Sequence, residues 1–263
     1  IKSLIENSNL DSIIISTPPF MHPHNLLEVI DKNVYIYLEK PIAINYEGIN
    51  LIQEKIVNHP NSKKVMIGFN RRYSESIKKL KSFNWINNRK KPMEISYRVN
   101  FGRIINNDTS DKNIGGGRLH GVCCHYVDLI CYLIQSEVKS VYALSIDKEN
   151  INTFNATLEF FDHSIANLLF TSEGNRYFGN KENIYLTVDN HNAKLIDFSN
   201  LVVDNLRYRY IRRNYGAFST MKEFLNCKDQ GNNAPINLLD GLNATKITLA
   251  IEESIRSKKI VYL

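Results

Sequence analysis

No glycine occurs before Gly48, although the chain of 263 residues holds 12 of them, and the first residue is Ile1 rather than Met. Cysteine is scarce as well. Cys123, Cys124, Cys131 and Cys227 are too few and too clustered for a disulfide framework, and adjacent Cys123 and Cys124 are poorly placed to pair with each other. A disulfide-stapled secreted scaffold is therefore excluded, and a reducing, cytoplasmic setting is expected. No apolar run approaches the roughly 18 to 20 residues needed to span a bilayer, and the first residues lack the basic-then-apolar order of an export signal. With 43% hydrophobic and 23% charged residues, the composition is that of a globular protein rather than a disordered or collagenous one. The net charge of +6 is a modest excess that fits a solvated basic surface and raises the expectation of nucleic-acid binding only slightly, so no nucleic-acid partner is expected.

What is present falls into two grammars. Ser12 to Thr17, Val34 to Leu38 and Lys64 to Phe69 are short β-branched or aromatic runs of the kind that form buried strands. Between them, His22 to Asp31 and Asn45 to Asn58 space apolar residues helically, as in Ile49, Ile52 and Ile56. A helix is also expected at Lys2 to Asn7. Alternating strands and helices imply right-handed crossovers and a parallel sheet. Beyond Phe69 the extended segments lengthen: Met93 to Arg103, Val138 to Asp147, Thr153 to Phe161, Ser164 to Thr171, Ile184 to Val188 and Lys194 to Phe198. Turn chemistry such as Asp162-His163 and Asp189-Asn190 separates them, so a large, mostly antiparallel open sheet follows. Helices are expected at Ser74 to Phe83, Cys124 to Ile134 and Leu239 to Arg256. The fold class is thus α/β plus α+β, with an α/β piece over residues 1–68 and an α+β domain over 69–263 whose sheet is flanked by helices.

Two local motifs could carry chemistry. Glu39-Lys40-Pro41 follows the second strand, and ligands of open parallel sheets sit beyond the carboxyl ends of the strands. Gly115-Gly116-Gly117 allows close backbone approach and introduces a helix that sets His125 and Asp128 within one turn of each other. A neutral imidazole there is suited to acid-base work near pH 7. Each motif alone reads more readily as structural.

Together and in order, these motifs resemble the Gfo/Idh/MocA family of NAD(P)-dependent sugar dehydrogenases. The resemblance runs from Thr17-Pro18 and His22 through Glu39-Lys40-Pro41, Gly68-Phe69-Asn70-Arg71-Arg72-Tyr73 and the glycine run to His125, and ends in Pro235 to Ile255. It implies hydride transfer between NAD or NADP and a hydroxyl or ketone of a sugar, with Lys40 and His125 as the catalytic pair. The proton would be removed by the lysine, its pKa lowered by the nicotinamide and partial burial, or by the histidine. Thr17, Pro18, His22, Glu39, Lys40 and Pro41 match cofactor-binding positions, and Asn70, Arg71, Arg72, Tyr73, Arg118 and His125 match substrate-binding ones. A homo-oligomer formed through the open sheet is implied too, as is a link to cell-envelope polysaccharide synthesis.

Two departures accompany the resemblance. Many members carry Asp four residues before the histidine, where this chain has Gly121. The family's glycine-rich phosphate turn after its first strand has no counterpart, since nothing before Gly48 can supply it. Residues 1–68 are therefore expected to be the second half of a Rossmann domain with one unpaired sheet edge, and activity of this stretch by itself is left open. Metal binding at His22-Pro23-His24, or at His120, Cys123, Cys124 and His125, is not expected, because the separated ligand pairs of zinc sites are missing. Arg207 to Arg213 interleaves Arg with Tyr and reads as an exposed strand or loop. The rival reading is a noncatalytic protein that pairs with a partner through the apolar alternation Phe154, Ala156, Leu158 and Phe160.

Overall fold

The structure, a computed structural model, describes residues 10–102, 111–175 and 181–263. The helix expected at 2–7 and the end of the strand expected to reach Arg103 lie outside the described residues. In chain order the strands are β1 (Ser12–Ile15), β2 (Tyr35–Leu38), β3 (Val65–Ile67), β4 (Glu94–Asn100), β5 (Val138–Ser145), β6 (Phe154–Phe160), β7 (Ile165–Thr171), β8 (Glu182–Val188), β9 (His191–Ile196), β10 (Asn200–Val203), β11 (Leu206–Arg209) and β12 (Val261–Tyr262). The helices are α1 (His22–Val29), α2 (Tyr46–Lys55), α3 (Glu75–Lys81), α4 (Gly117–Gly121), α5 (Cys124–Ile134), α6 (Ala217–Gln230) and α7 (Leu238–Ser257), with short turns at Asn70–Tyr73 and Asn84–Asn87. Two compact units result. One takes Ile1–Phe69, Asn106–Asp128 and Phe218–Leu249; the other takes Asn70–Ile105, Leu129–Ala217 and Ala250–Leu263.

The first unit holds a parallel sheet in the order β1-β2-β3. All four residues of β2 are buried, as expected of a central parallel strand covered on both faces. Helix α2 starts where Asn45 caps it, its side chain accepting from the Gly48 N–H at 2.8 Å. Gly48 is needed for close approach, because a Cβ there would stand 2.8 Å from Ala43 Cβ and 2.9 Å from Pro23 Cγ. Among the described residues β1 pairs only with β2 and so forms the sheet edge. The outer side of β3 carries one further bond, from Ile67 N–H to the Ile236 carbonyl at 2.9 Å.

The second unit is built on nine strands in the order β11-β10-β9-β8-β4-β7-β6-β5-β12. Neighbours are antiparallel except β4 and β7, which run parallel. Asp189 and Asn190, both at positive φ, make the tight turn between Val188 and His191, the conformation a two-residue hairpin requires.

The alternation Phe154, Ala156, Leu158 and Phe160 does not offer itself to a partner. All four side chains are at most 2% exposed, packed in the chain's own core with Ile95, Tyr97, Leu168 and Phe170. The outer face instead exposes Tyr142, Leu144, Leu169 and Tyr185 among polar neighbours. Residues 207–209 of the Arg-Tyr run lie in edge strand β11, and Ile211, Arg212 and Arg213 are exposed beyond it. The sequence reading also omitted β10, β12 and α6. The core positions of α6 include Thr220 and Cys227 beside Phe224, so its apolar spacing is masked by polar residue types.

Candidate active site

The three parallel strands end in register, with Ile15 beside Leu38 and Leu38 beside Ile67. The loops that follow share the carboxyl edge of the sheet, where open α/β sheets bind ligands. Glu39 N–H donates to the Ile15 carbonyl and Gly68 N–H to the Leu38 carbonyl, each at 2.9 Å, before the chain turns away. The peptide between Lys40 and Pro41 is cis. Thr17 is held twice from α1: its hydroxyl accepts from Asn25 Nδ2 at 2.8 Å, and its carbonyl lies 2.8 Å from His22 Nε2. The other ring nitrogen of buried His22 lies 2.7 Å from the Pro41 carbonyl. Burial, aided by the Lys40 charge, lowers the His22 pKa, while the two backbone contacts oppose that shift. Pro18 is exposed beside this arrangement.

Burial raises the Glu39 pKa, and the neighbouring Lys40 charge and amide only partly offset it. Tyr37 is pushed far up by burial and then by the Glu39 charge. Both groups crowd Gly68, whose missing Cβ would lie 3.1 Å from Tyr37 Oη and 3.2 Å from the Glu39 carboxyl carbon.

The glycine run is shaped by Asp111, whose carbonyl accepts from Gly115 N–H at 2.9 Å and Gly117 N–H at 3.2 Å. Gly116 has φ of +77°, and a Cβ there would meet Ile44 Cγ2 at 2.8 Å and His120 Cβ at 2.9 Å. No other residue fits. Helix α4 then buries Arg118, whose charge burial opposes and nearby Tyr126 and Cys123 favour. Its last residue, Gly121, presents a backbone carbonyl to which the Lys40 amine donates at 3.0 Å. Half-buried His125 follows in the first turn of α5, its ring edge-on to Phe69 with centroids 6.0 Å apart. Asp128 is buried one turn further on.

Lys40 is therefore anchored four residues before His125, at the position where a carboxylate was expected and a peptide carbonyl stands instead. Sequence reading missed this acceptor, since a backbone carbonyl has no residue-type signature. It also missed Asn25, although its placement three residues after His22 sets both on one face of α1.

In the other unit, Asn70, Arg71, Arg72 and Tyr73 form a single turn. Arg71 pairs within its own unit: Nε and Nη2 donate to the Glu182 carboxylate at 3.1 and 2.8 Å, with Glu182 fully buried. Its guanidinium also lies 5.1 Å from the Tyr215 ring centre. Arg72 lies over Tyr132 at 4.9 Å, and Lys78 over Tyr73 at 5.1 Å. Glu182 escaped the sequence reading because the strand was expected to start only at Ile184.

Among the described residues no group of three or more His, Cys, Asp or Glu could hold a metal ion, and no helix is long and apolar enough to cross a membrane. The nicotinamide half of a dinucleotide has a fitting place at the sheet edge. The Thr17 hydroxyl, which accepts from Asn25, keeps its own proton to donate.

The chain thus combines a three-stranded parallel sheet, with a lysine at its carboxyl edge, and a large mostly antiparallel sheet. Residues 91–187 match the family model described as the GFO/IDH/MocA C-terminal domain. Oxidoreductase P35 of Formosa agariphila is 29% identical over 147 residues, covering 53% of this chain and 45% of that protein. Inositol 2-dehydrogenase/D-chiro-inositol 3-dehydrogenase of Halalkalibacterium halodurans is 26% identical over 140 residues, covering 53% of this chain and 38% of that enzyme. The matches thus span less than half the length of these two relatives. The crystal structure of scyllo-inositol dehydrogenase from Lactobacillus casei, solved with NAD(H) and scyllo-inositol, superimposes with a TM-score of 0.77 at 19% identity, covering 99% of this chain and 82% of that one.

Proposed function

We propose that the protein serves a nicotinamide-dependent oxidoreductase that moves a hydride to or from the carbon bearing a sugar or polyol hydroxyl. The anchoring of Lys40 to the Gly121 carbonyl, just ahead of His125, carries this reading. A bound nicotinamide would supply the hydride acceptor or donor. Thr17, Pro18, Glu39 and Lys40 would hold that end of the cofactor, be it NAD or NADP, with residues 1–68 as its domain. Lys40 spends one N–H on Gly121 and has others to offer a substrate oxygen, which holds that oxygen and favours its anionic form. A peptide carbonyl cannot take up a proton, so half-buried His125 is the group that accepts it as the hydride leaves. Arg118, Arg72 and Tyr73 remain candidate substrate contacts. Arg71 serves chiefly to brace the second domain.

Residues 69–263 would bind the sugar and self-associate through the outer sheet face, whose Tyr142, Leu144, Leu169 and Tyr185 are exposed. The four free thiols suit a reducing cytoplasm. Calorimetric titration of NADH and NADPH into the protein, followed by a sugar and polyol screen, tests the reading. Absence of binding by either cofactor to the full-length gene product would sink it.

A further inference from the structure

Both ring nitrogens of His22, at the carboxyl edge, face backbone oxygens, Pro41 at 2.7 Å and Thr17 at 2.8 Å. A neutral ring has one N–H and can serve only one of them as donor. The contact with Pro41 is buried, whereas that with Thr17 is partly open to water. A buried carbonyl left without a donor costs more than one that water can reach, so the proton belongs on Nδ1. Pro41 follows Lys40 directly, and a bond to its carbonyl holds the loop in place one residue beyond the lysine.

We propose that His22 is a positioning residue, not a cofactor ligand: its Nδ1–H holds the Pro41 carbonyl and so sets the lysine amine onto the Gly121 carbonyl. Asn25, one turn along α1, holds the Thr17 hydroxyl in parallel. The first turn of α1 thus clamps both loops at the carboxyl edge, with the histidine governing the lysine side. This deepens the role given to Lys40 above, but its test is read on the amine itself, so it can fail while that role stands, and the reverse.

Substitution separates the two ring contacts. The amide nitrogen of Asn can occupy the place of Nδ1, and that of Gln the place of Nε2. The rate at which Lys40 is acylated by a limiting reagent, read by peptide mass spectrometry against exposed Lys55, reports how firmly the amine is held. In His22→Asn the Lys40 rate should stay near that of the unaltered protein. In His22→Gln it should rise about fivefold, the equivalent of losing one net hydrogen bond of about 1 kcal/mol. Asn25→Ala, which loosens Thr17 alone, should leave it unchanged. Equal rates in His22→Asn and His22→Gln, or a rise in Asn25→Ala as large as in His22→Gln, would overturn the assignment. In the unaltered protein, long-range proton–nitrogen NMR of the ring should place the proton on Nδ1, and a proton found on Nε2 overturns it without any variant.

Discussion

Replacing Arg71 by Leu isolates the buried charge that holds the large-sheet unit together. The carboxylate of Glu182 accepts two bonds from the guanidinium, and Tyr97 Oη donates to the same group. Its side chain is fully buried and that of Arg71 only 8% exposed. Removal of the cation leaves the carboxylate two courses. It can remain charged in the interior, at a cost of about 3–5 kcal/mol for a broken buried pair. Or it can take up a proton, which for an ordinary glutamic acid of pKa about 4.3 costs about 3.7 kcal/mol at pH 7. The cheaper course caps the penalty, so Arg71→Leu should destabilise by about 3–4 kcal/mol at pH 7. At pH 5.5 the same protonation costs about 1.6 kcal/mol, and the penalty should shrink by about 2 kcal/mol. The sign is fixed: a group protonated in the folded variant gains stability as pH falls. Trp85, the only tryptophan, belongs to this unit and stacks on His191 at 4.8 Å, so its fluorescence during urea unfolding follows the right transition in a chain of two units. A penalty below about 1 kcal/mol at pH 7, or one equal at both pH values, would refute the reasoning.

Three further outcomes are expected. Because burial depresses the His22 pKa, the unfolded chain binds a proton near pH 6.5 that the folded chain resists; this stability is complete above about pH 6.5 and lost as pH falls through the folded value. Melting of the unaltered protein should therefore drop between pH 7.5 and pH 5 by more than melting of His22→Asn, and identical drops would remove the contribution. Gly116→Ala should cost at least about 1–2 kcal/mol in chemical unfolding, from a left-handed backbone together with contacts of 2.8 and 2.9 Å; a neutral change would contradict the geometry. Leu144→Lys, on the outer sheet face, should weaken self-association in sedimentation without lowering stability, and unaltered association would clear that face of the role.

Much of this was legible in the residue pattern. The β-branched runs at 12–17, 34–38 and 64–69 announced the parallel strands because buried strands on both sides tolerate little else, and Asp189-Asn190 announced a hairpin because few residue pairs accept positive φ twice. Lys40 was found through its place after a strand. The contacts that position it were hidden, since the Gly121, Thr17 and Pro41 acceptors are backbone atoms. The pairing of Arg71 with Glu182 was hidden in sequence because the two lie 111 residues apart, and only the packing of the second unit brings them together. The alternation in β6 revealed an apolar face correctly but could not say whether the chain itself covered it.

The most direct test is the turnover of Lys40→Ala beside the unaltered protein, in the full-length gene product, with NAD+ and NADP+ against a panel of inositols and sugars. The account predicts that the unaltered protein reduces cofactor with at least one of them and that the variant falls by about a hundredfold or more, the scale of lost proton handling. Equal turnover in the two would contradict it.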